Sequence, residues 1–412
     1  MKQQLAHSSE SNPEIPAAVW AIGWVTFLIN TSTVMAFSIS VVYLKSALEI
    51  GTGWIGFLEG AVEGSSYAIK VFSGVISDYF RRRKNIMVIG YVLAAISRPL
   101  LGISSTFWEV FTARFLDRFG NGIQATPRDA LIGDIAPSGL KGACYGLRQS
   151  LGSAGSLFGG LLGIGAMLWT ANNYHYVFFL ATIPVVLAVL ILVFKIKEPE
   201  QNLHPVDHQK RHPIRLSDLA RLGHRYWLLM IIVSLFMLAR FGEAFLVIHA
   251  TQSFNLAEAY SPIIMMLYNM SWALSSYPIG KLSDRLGRYR LLVLGISVLM
   301  AADLTMALAH TLWVMLIGVV LWGIQVGITQ SMFLALIADS VPEDLRGTGF
   351  GFFYLISAVS LVFAGLGGGL IADFYGEHMS FFASLVVASM SLLGVFAIIP
   401  TIKNKKNQLK EY

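Results

Sequence analysis

The ten residues VVLAVLILVF at 185–194 carry no polar side chain, and apolar runs of this kind recur between short polar breaks from Ala17 to the C-terminal tail. A helix of about 20 such residues crosses the hydrocarbon layer of a bilayer. No water is present there to satisfy a backbone, so only helices and closed barrels can span it. Barrel strands alternate apolar and polar residues over segments of about ten, and these runs do not alternate. The chain is therefore expected to be an all-α membrane protein. Charged residues make up 13% of its 412 positions, about half the share usual in a soluble domain, too few to clothe a water-facing surface of this size.

Runs set against breaks place twelve transmembrane helices at 17–44, 51–79, 86–104, 107–136, 141–168, 174–195, 226–252, 258–284, 290–308, 311–340, 346–373 and 377–400. The first is far longer than a signal-peptide core and lacks a small-residue cleavage site, so it reads as a retained span. Basic residues gather in the breaks after the second, sixth and twelfth helices: Arg81 to Lys84, then Lys197 to Arg225, then Lys403 to Lys410. The opposite breaks hold almost none besides Lys45. The positive-inside rule then places both termini in the cytoplasm of a bacterial inner-membrane protein. Orientation also explains the net charge of +6 without nucleic acid as a partner. Cys144 is the single cysteine, which excludes disulfides within the chain and cysteine-ligated metal sites.

The segment ALIGDIAPSGLKGACYG at 130–146 recurs as ALIADSVPEDLRGTGFG at 335–351 with eight of seventeen positions identical, an offset of 205. A second pair, GVISDYFRRRK from Gly74 and GKLSDRLGRYR from Gly280, recurs at 206. The repeat thus spans whole six-helix units. It divides the chain into a tail (1–16), a half (17–195), a linker (196–225), a second half (226–400) and a tail (401–412). Two parallel halves with a solute site between them near midplane are a common plan for secondary transporters.

The run Gly280-Lys-Leu-Ser-Asp284-Arg285-Leu-Gly287-Arg288 resembles the cytoplasmic loop signature G-x-L-x-D-R-x-G-R of the major facilitator superfamily. Its first-half copy keeps Gly74 and Asp78 but has Arg81 in place of the glycine. The stretch Arg118-Phe-Gly-Asn121-Gly122-Ile-Gln124-Ala is similar to the helix-4 motif R-x-x-Q-G-x-x-A, and the resemblance implies a role for Arg118 in proton coupling. Gly146, Gly155, Gly159 and Gly160 are spaced like the family's antiporter motif, with Ser156 where proline is expected. The resemblance covers the whole chain and implies alternating access.

An ionisable group inside a span costs several kcal/mol unless it is paired or hydrated. Glu59, Glu63, Ser66 and Lys70 form one stripe of the second helix, facing protein or a cavity. Helical rise puts Arg98, Arg114, Asp117 and Arg118 at a similar depth, so that three acids and three bases are expected in one buried network. Burial and neighbouring arginines act in opposite senses on the proton of such a carboxylate, as proton coupling needs.

The repeat acts as a filter. Asp78 recurs as Asp284, Asp134 as Asp339 and Lys141 as Arg346, which suits latches at the cytoplasmic helix ends, together with Arg81, Arg285 and Arg288. Asp117, Arg118, Arg128 and Asp129 align with Trp322, Gly323, Phe333 and Leu334, so they serve one half only. Arg128 and Asp129 follow Pro127 and suit a gate salt bridge beside a kink. Arg240 and Glu243, three apart in the seventh helix, are candidates for solute contact, as are Asn30, Thr33, Asn121, Asn269 and Gln325. The glycine series from Gly152 to Gly160 and from Gly365 to Gly369 suits close helix approach. Pro205 and Pro213 interrupt the spacing of His204, His208 and His212, so no metal site is expected.

The spans hold no H-E-x-x-H pair, no activated nucleophile and no nucleotide-binding loop, so neither an enzyme nor a bound cofactor is expected. The reading is a monomeric, proton-coupled secondary transporter of a small solute, with efflux antiport favoured. Proton symport uptake and a passive facilitator or lipid flippase remain as alternatives.

Overall fold

The computed structural model describes residues 15–80, 83–137, 140–196, 221–342 and 345–408. Among them the chain forms thirteen α-helices: α1 Ala17–Val42, α2 Thr52–Phe80, α3 Arg83–Ile103, α4 Phe107–Ile135, α5 Lys141–Trp169, α6 Tyr174–Lys195, α7 His224–Ala239, α8 Ala244–Ile248, α9 Pro262–Leu286, α10 Arg288–Ala307, α11 Leu312–Ser340, α12 Arg346–Tyr375 and α13 Glu377–Gln408. A π-helical turn prolongs α1 through Ala47, and another carries α8 on to Ser253. Among the described residues nine helical segments are long and apolar enough to cross a membrane. The long helices outside that set, α2, α4 and α9, carry the charges and amides and are lined by neighbours: α2 by α12 and α4, α4 by α3, α9 by α11 and α5.

One expected helix is interrupted. The span predicted unbroken over 226–252 stops at Ala239 and restarts at Ala244, with Arg240 at φ −87°, ψ 85°. The break lies at a close approach, where a Cβ on Gly242 would stand 3.1 Å from the Glu59 Cβ. The helix expected from 258 begins at Pro262, after a 3₁₀ turn at Glu258–Tyr260.

Two seams join α1–α6 to the later helices, α2 against α12 and α5 against α9, and the repeat offset exchanges them. In the first, a Cβ on Gly56 would come within 2.0 Å of the Gly365 carbonyl oxygen, and one on Gly60 within 2.4 Å of that of Leu361. In the second, Gly160 lies under Met266 and Gly163 under Pro262. Gly155 and Gly159 instead bring α5 onto α1, against Phe27 and Thr31, and Gly367 has open space around it.

The bundle end opposite the chain termini is sealed. The backbone amides of Thr52 and Gly53, at the start of α2, each donate a 2.7 Å hydrogen bond to the Asp373 carboxylate at the end of α12. Lys45 Nζ donates to the Thr52 hydroxyl, which also reaches Glu377. Tyr174 donates to Glu258 across the same end.

At the other end Arg83 pairs with Asp134 and Arg288 with Asp339. Both pairs join the start of one helix to the end of the next, at an offset of 205. Asp134, Asp339 and Arg288, expected as latches, each belong to one of these pairs, and the residue equivalent to Arg288 is Arg83. Gly287, at φ +82°, turns α9 into α10 in a conformation that strains any side chain with a Cβ. Arg81 lies outside the described residues, as do the side chains of Asp78, Asp284 and Arg285.

Gly365→Leu is expected to wedge α2 from α12, because the clashing atoms are backbone, and to lower the melting temperature in detergent by several degrees. Gly146→Leu, which meets nothing within 4 Å, should leave it unchanged; equal effects would show that the seam is not tightly packed.

Candidate functional site

Between the two seams lies a cavity of about 280 Å³. Its wall runs from the middle of α1, α2 and α4 to Arg128, Arg148 and Gln149, towards the end that carries the chain termini. With the opposite end sealed, it is a chamber accessible from one side.

The expected six-charge network separates into three pairs in two layers. Behind the wall, Arg114 Nη2 donates to both oxygens of Glu59 at 2.8 and 2.9 Å, and its guanidinium lies 4.4 Å from the Phe37 ring. Arg98 Nη2 pairs with Asp117 at 3.0 Å, while its other donors reach Ser32, Ser97 and Thr33. The Arg98 and Asp117 side chains are 1% and 5% exposed. Such pairs fix α2, α3 and α4 in rotation about their axes. The third pair faces the cavity: Arg118 Nε stands 3.4 Å from Glu63, whose side chain is 40% exposed.

On the facing wall the break between α7 and α8 presents Arg240 and Glu243, 3.6 Å apart. Glu243 also accepts a 2.8 Å bond from the Tyr268 hydroxyl, and Arg240 lies 5.8 Å from the Trp322 ring. Nearer the termini Arg128 pairs with Asp129 at 3.0 Å, and Arg148 shares that carboxylate at 3.7 Å.

The expected hydrogen-bonding residues differ in placement. Asn30, Thr33, Asn121 and Asn269 line the cavity. Asn30 donates to the Gly152 carbonyl, Asn121 accepts from Gln124, and Asn269 donates to the Met265 carbonyl. Gln325 is not part of the cavity wall; it is fully buried and donates to Thr329. Lining residues that the sequence reading left out include Tyr67, Arg148, Tyr268 and Gln330. The one-half filter, applied to polar residues as well as charges, would have found all four, since Tyr67, Arg148, Tyr268 and Gln330 align with Ala273, Phe353, Val62 and Ala125. Among the described residues no three His, Cys, Asp or Glu side chains are grouped as metal ligands.

The chain matches the profile described as Major Facilitator Superfamily over residues 22–272 and 230–411. It belongs to that superfamily. An uncharacterised MFS-type transporter of Methanocaldococcus jannaschii is 26% identical over 96% of this chain and 98% of its own. The human lysosomal dipeptide transporter MFSD1 is 27% identical, covering 82% of this chain and 72% of its own. The multi-drug resistance efflux pump PmrA of Streptococcus pneumoniae is 24% identical over 93% and 97%. Among solved superfamily folds, a bacterial homologue of the human lysosomal transporter Spinster, in an inward-facing and occupied conformation, superposes with a TM-score of 0.74 at 15% identity, over 93% of this chain and 97% of that one. The chain is therefore a multi-pass membrane transporter of the superfamily.

Asp117→Asn leaves Arg98 buried without its counter-charge and is expected to cost about 3–5 kcal/mol. Glu63→Gln, at a hydrated pair, should cost under about 1 kcal/mol. Thermal unfolding of both variants in one detergent tests the ordering; the reverse ordering would mean that the two layers are misassigned.

Proposed function

We propose that this chain is a proton-coupled secondary transporter that moves a small charged solute by alternating access, with export by antiport as the favoured direction. The observation that carries the reading is the Glu63–Arg118 pair, set at mid-depth on the wall of a chamber closed at one end. Glu63 is the member of the three acids in the network that is both loosely paired and hydrated, so it can exchange its arginine for a proton without leaving a dry charge behind. The Glu59–Arg114 and Asp117–Arg98 pairs are buried and closely made, and they hold the frame in which Glu63 works. Both termini lie in the cytoplasm, on the strength of the basic breaks, and the chamber faces the same side.

Return to the other side requires α2 to leave Asp373, Tyr174 to leave Glu258, and the Gly56–Gly365 contact to part. These are polar or small-residue contacts. Export is supported by the glycine spacing of α5 and by the naming of the PmrA relative as an efflux pump.

The test is the internal pH of proteoliposomes holding the purified protein, challenged with a solute panel beside Glu63→Gln. Solute-dependent proton movement in the wild type, abolished in the variant, is the expected result. Solute movement without proton movement, unaltered by the substitution, would make the protein a passive facilitator with Glu63 as a structural residue. Proton and solute moving in the same direction would establish symport.

A further inference from the structure

We infer that Lys70 and Arg240 form a subsite for the carboxylate of a dipolar solute, whose ammonium group is received by Glu63 and Glu243. The inference rests on the transporter reading and names the chemistry of its cargo.

Pairing quality falls from the frame to the cavity. In the frame each arginine meets its carboxylate at 2.8 to 3.0 Å, and Arg98 also donates to Ser32, Ser97 and Thr33. At the wall the separations are 3.4 Å for Arg118–Glu63 and 3.6 Å for Arg240–Glu243. The second is long because Tyr268 already occupies the same Glu243 oxygen. Lys70 has no ion-pair partner among the described residues, and its ammonium stands 4.7 Å from the Tyr67 ring centroid. A cation inside a bundle that shares a wall with Glu63 but makes no ion pair with it is a candidate site for an anionic group.

Position joins Lys70 to Arg240. A second, smaller cavity of about 60 Å³ adjoins the first, and Tyr67, Lys70, Arg240 and Gln330 line both. A carboxylate at this throat would meet an ammonium, a guanidinium, a phenol and an amide.

The charges of the whole chamber limit the solute further. Lys70, Arg118, Arg128, Arg148 and Arg240 face it against Glu63, Asp117 and Glu243. Asp117 is answered by Arg98 behind the wall, and Asp129 lies between Arg128 and Arg148. The surplus is positive and includes Lys70, while two carboxylates remain loosely held. A lipophilic cation would meet that surplus, and a multiply charged anion would meet Glu63 and Glu243. A solute with one carboxylate and one ammonium satisfies both. The volume lies at or below the small end of ligand pockets, roughly 300–1,000 Å³, which restricts the cargo to the size of an amino acid or a short peptide.

The experiment uses the full-length protein in detergent, with thermal stabilisation as the binding readout. The probes are the common amino acids and L-alanyl-L-alanine, each beside its C-terminal amide and N-acetyl form, with chloride and inorganic phosphate as further arms. The expected result is stabilisation by at least one dipolar probe and loss of it on amidation or acetylation. Lys70→Gln should weaken that binding by about tenfold or more, the value of one charge-assisted hydrogen bond. Lys70→Arg, which keeps the charge, should restore most of it and shows that the site still folds. Equal binding of the amide, binding unaltered in Lys70→Gln, equal stabilisation by chloride or phosphate alone, or no binding by any dipolar probe would each overturn the subsite. Solute-driven proton movement in liposomes with a non-dipolar solute would overturn it while leaving the transporter reading intact; no movement of any solute would remove that reading instead.

Discussion

A charge inside a bundle that faces lipid has to be paired or hydrated, and this requirement orders the interior of the molecule. α2 and α4 carry Glu59, Glu63, Arg114, Asp117 and Arg118 within the span of the bundle, which no lipid-facing helix could hold. They stay inside because α1, α3 and α12 cover them. The pairings Glu59–Arg114 and Arg98–Asp117 then fix how each helix is turned. Once those turns are set, Glu63, Tyr67 and Lys70 have one direction left to face, and that direction is the cavity. The binding wall follows from the demand for neutrality behind it.

The second constraint is distance. Glycines let α2 and α12 approach until backbone meets backbone, and the same approach brings Gly242 against Glu59. That last contact lies at the break between α7 and α8, where Arg240 and Glu243 line the chamber. A side chain at 242 would push the break away from α2 and separate the two walls. Packing and the chemistry of the site are thus set by the same few small residues.

Most of the architecture was legible in the sequence, because apolar runs and a repeat near 205 residues depend on local composition and need no tertiary knowledge. The break in the seventh span was not: MLARFGEAFLV reads as a helix, and it is interrupted where it packs against Glu59, 183 positions away. Depth arithmetic gathered the right six charges but could not separate them into pairs, since helix rotation is set by neighbours. Gln325 had the right polarity and depth, yet its helix turns it to Thr329. Arg83 was hidden by a one-residue difference between the two repeat offsets. Glycines 56, 60 and 64 on α2 are four apart, and this signal was present but unread beside the richer runs on α5 and α12.

The repeat also shows how one scaffold acquires two unlike walls. Arg98 and Asp117 align at 205 with Asp303 and Trp322, and the alignment holds in space. In the first half Ser32 donates to the Ala181 carbonyl and accepts from Arg98. In the second half the Ser384 hydroxyl bridges the Ala239 carbonyl oxygen and the Asp303 carboxyl group. The junction is similar, but an ion pair occupies it in one half and a carboxyl–hydroxyl hydrogen bond in the other. The indole leaves a ring beneath Arg240 where the first half has a charge. A chamber with two identical walls would give a dipolar solute no preferred orientation. Repeating the helices while changing the charges supplies one, with acids and bases alternating across α2 and α4 on one side and a broken helix on the other.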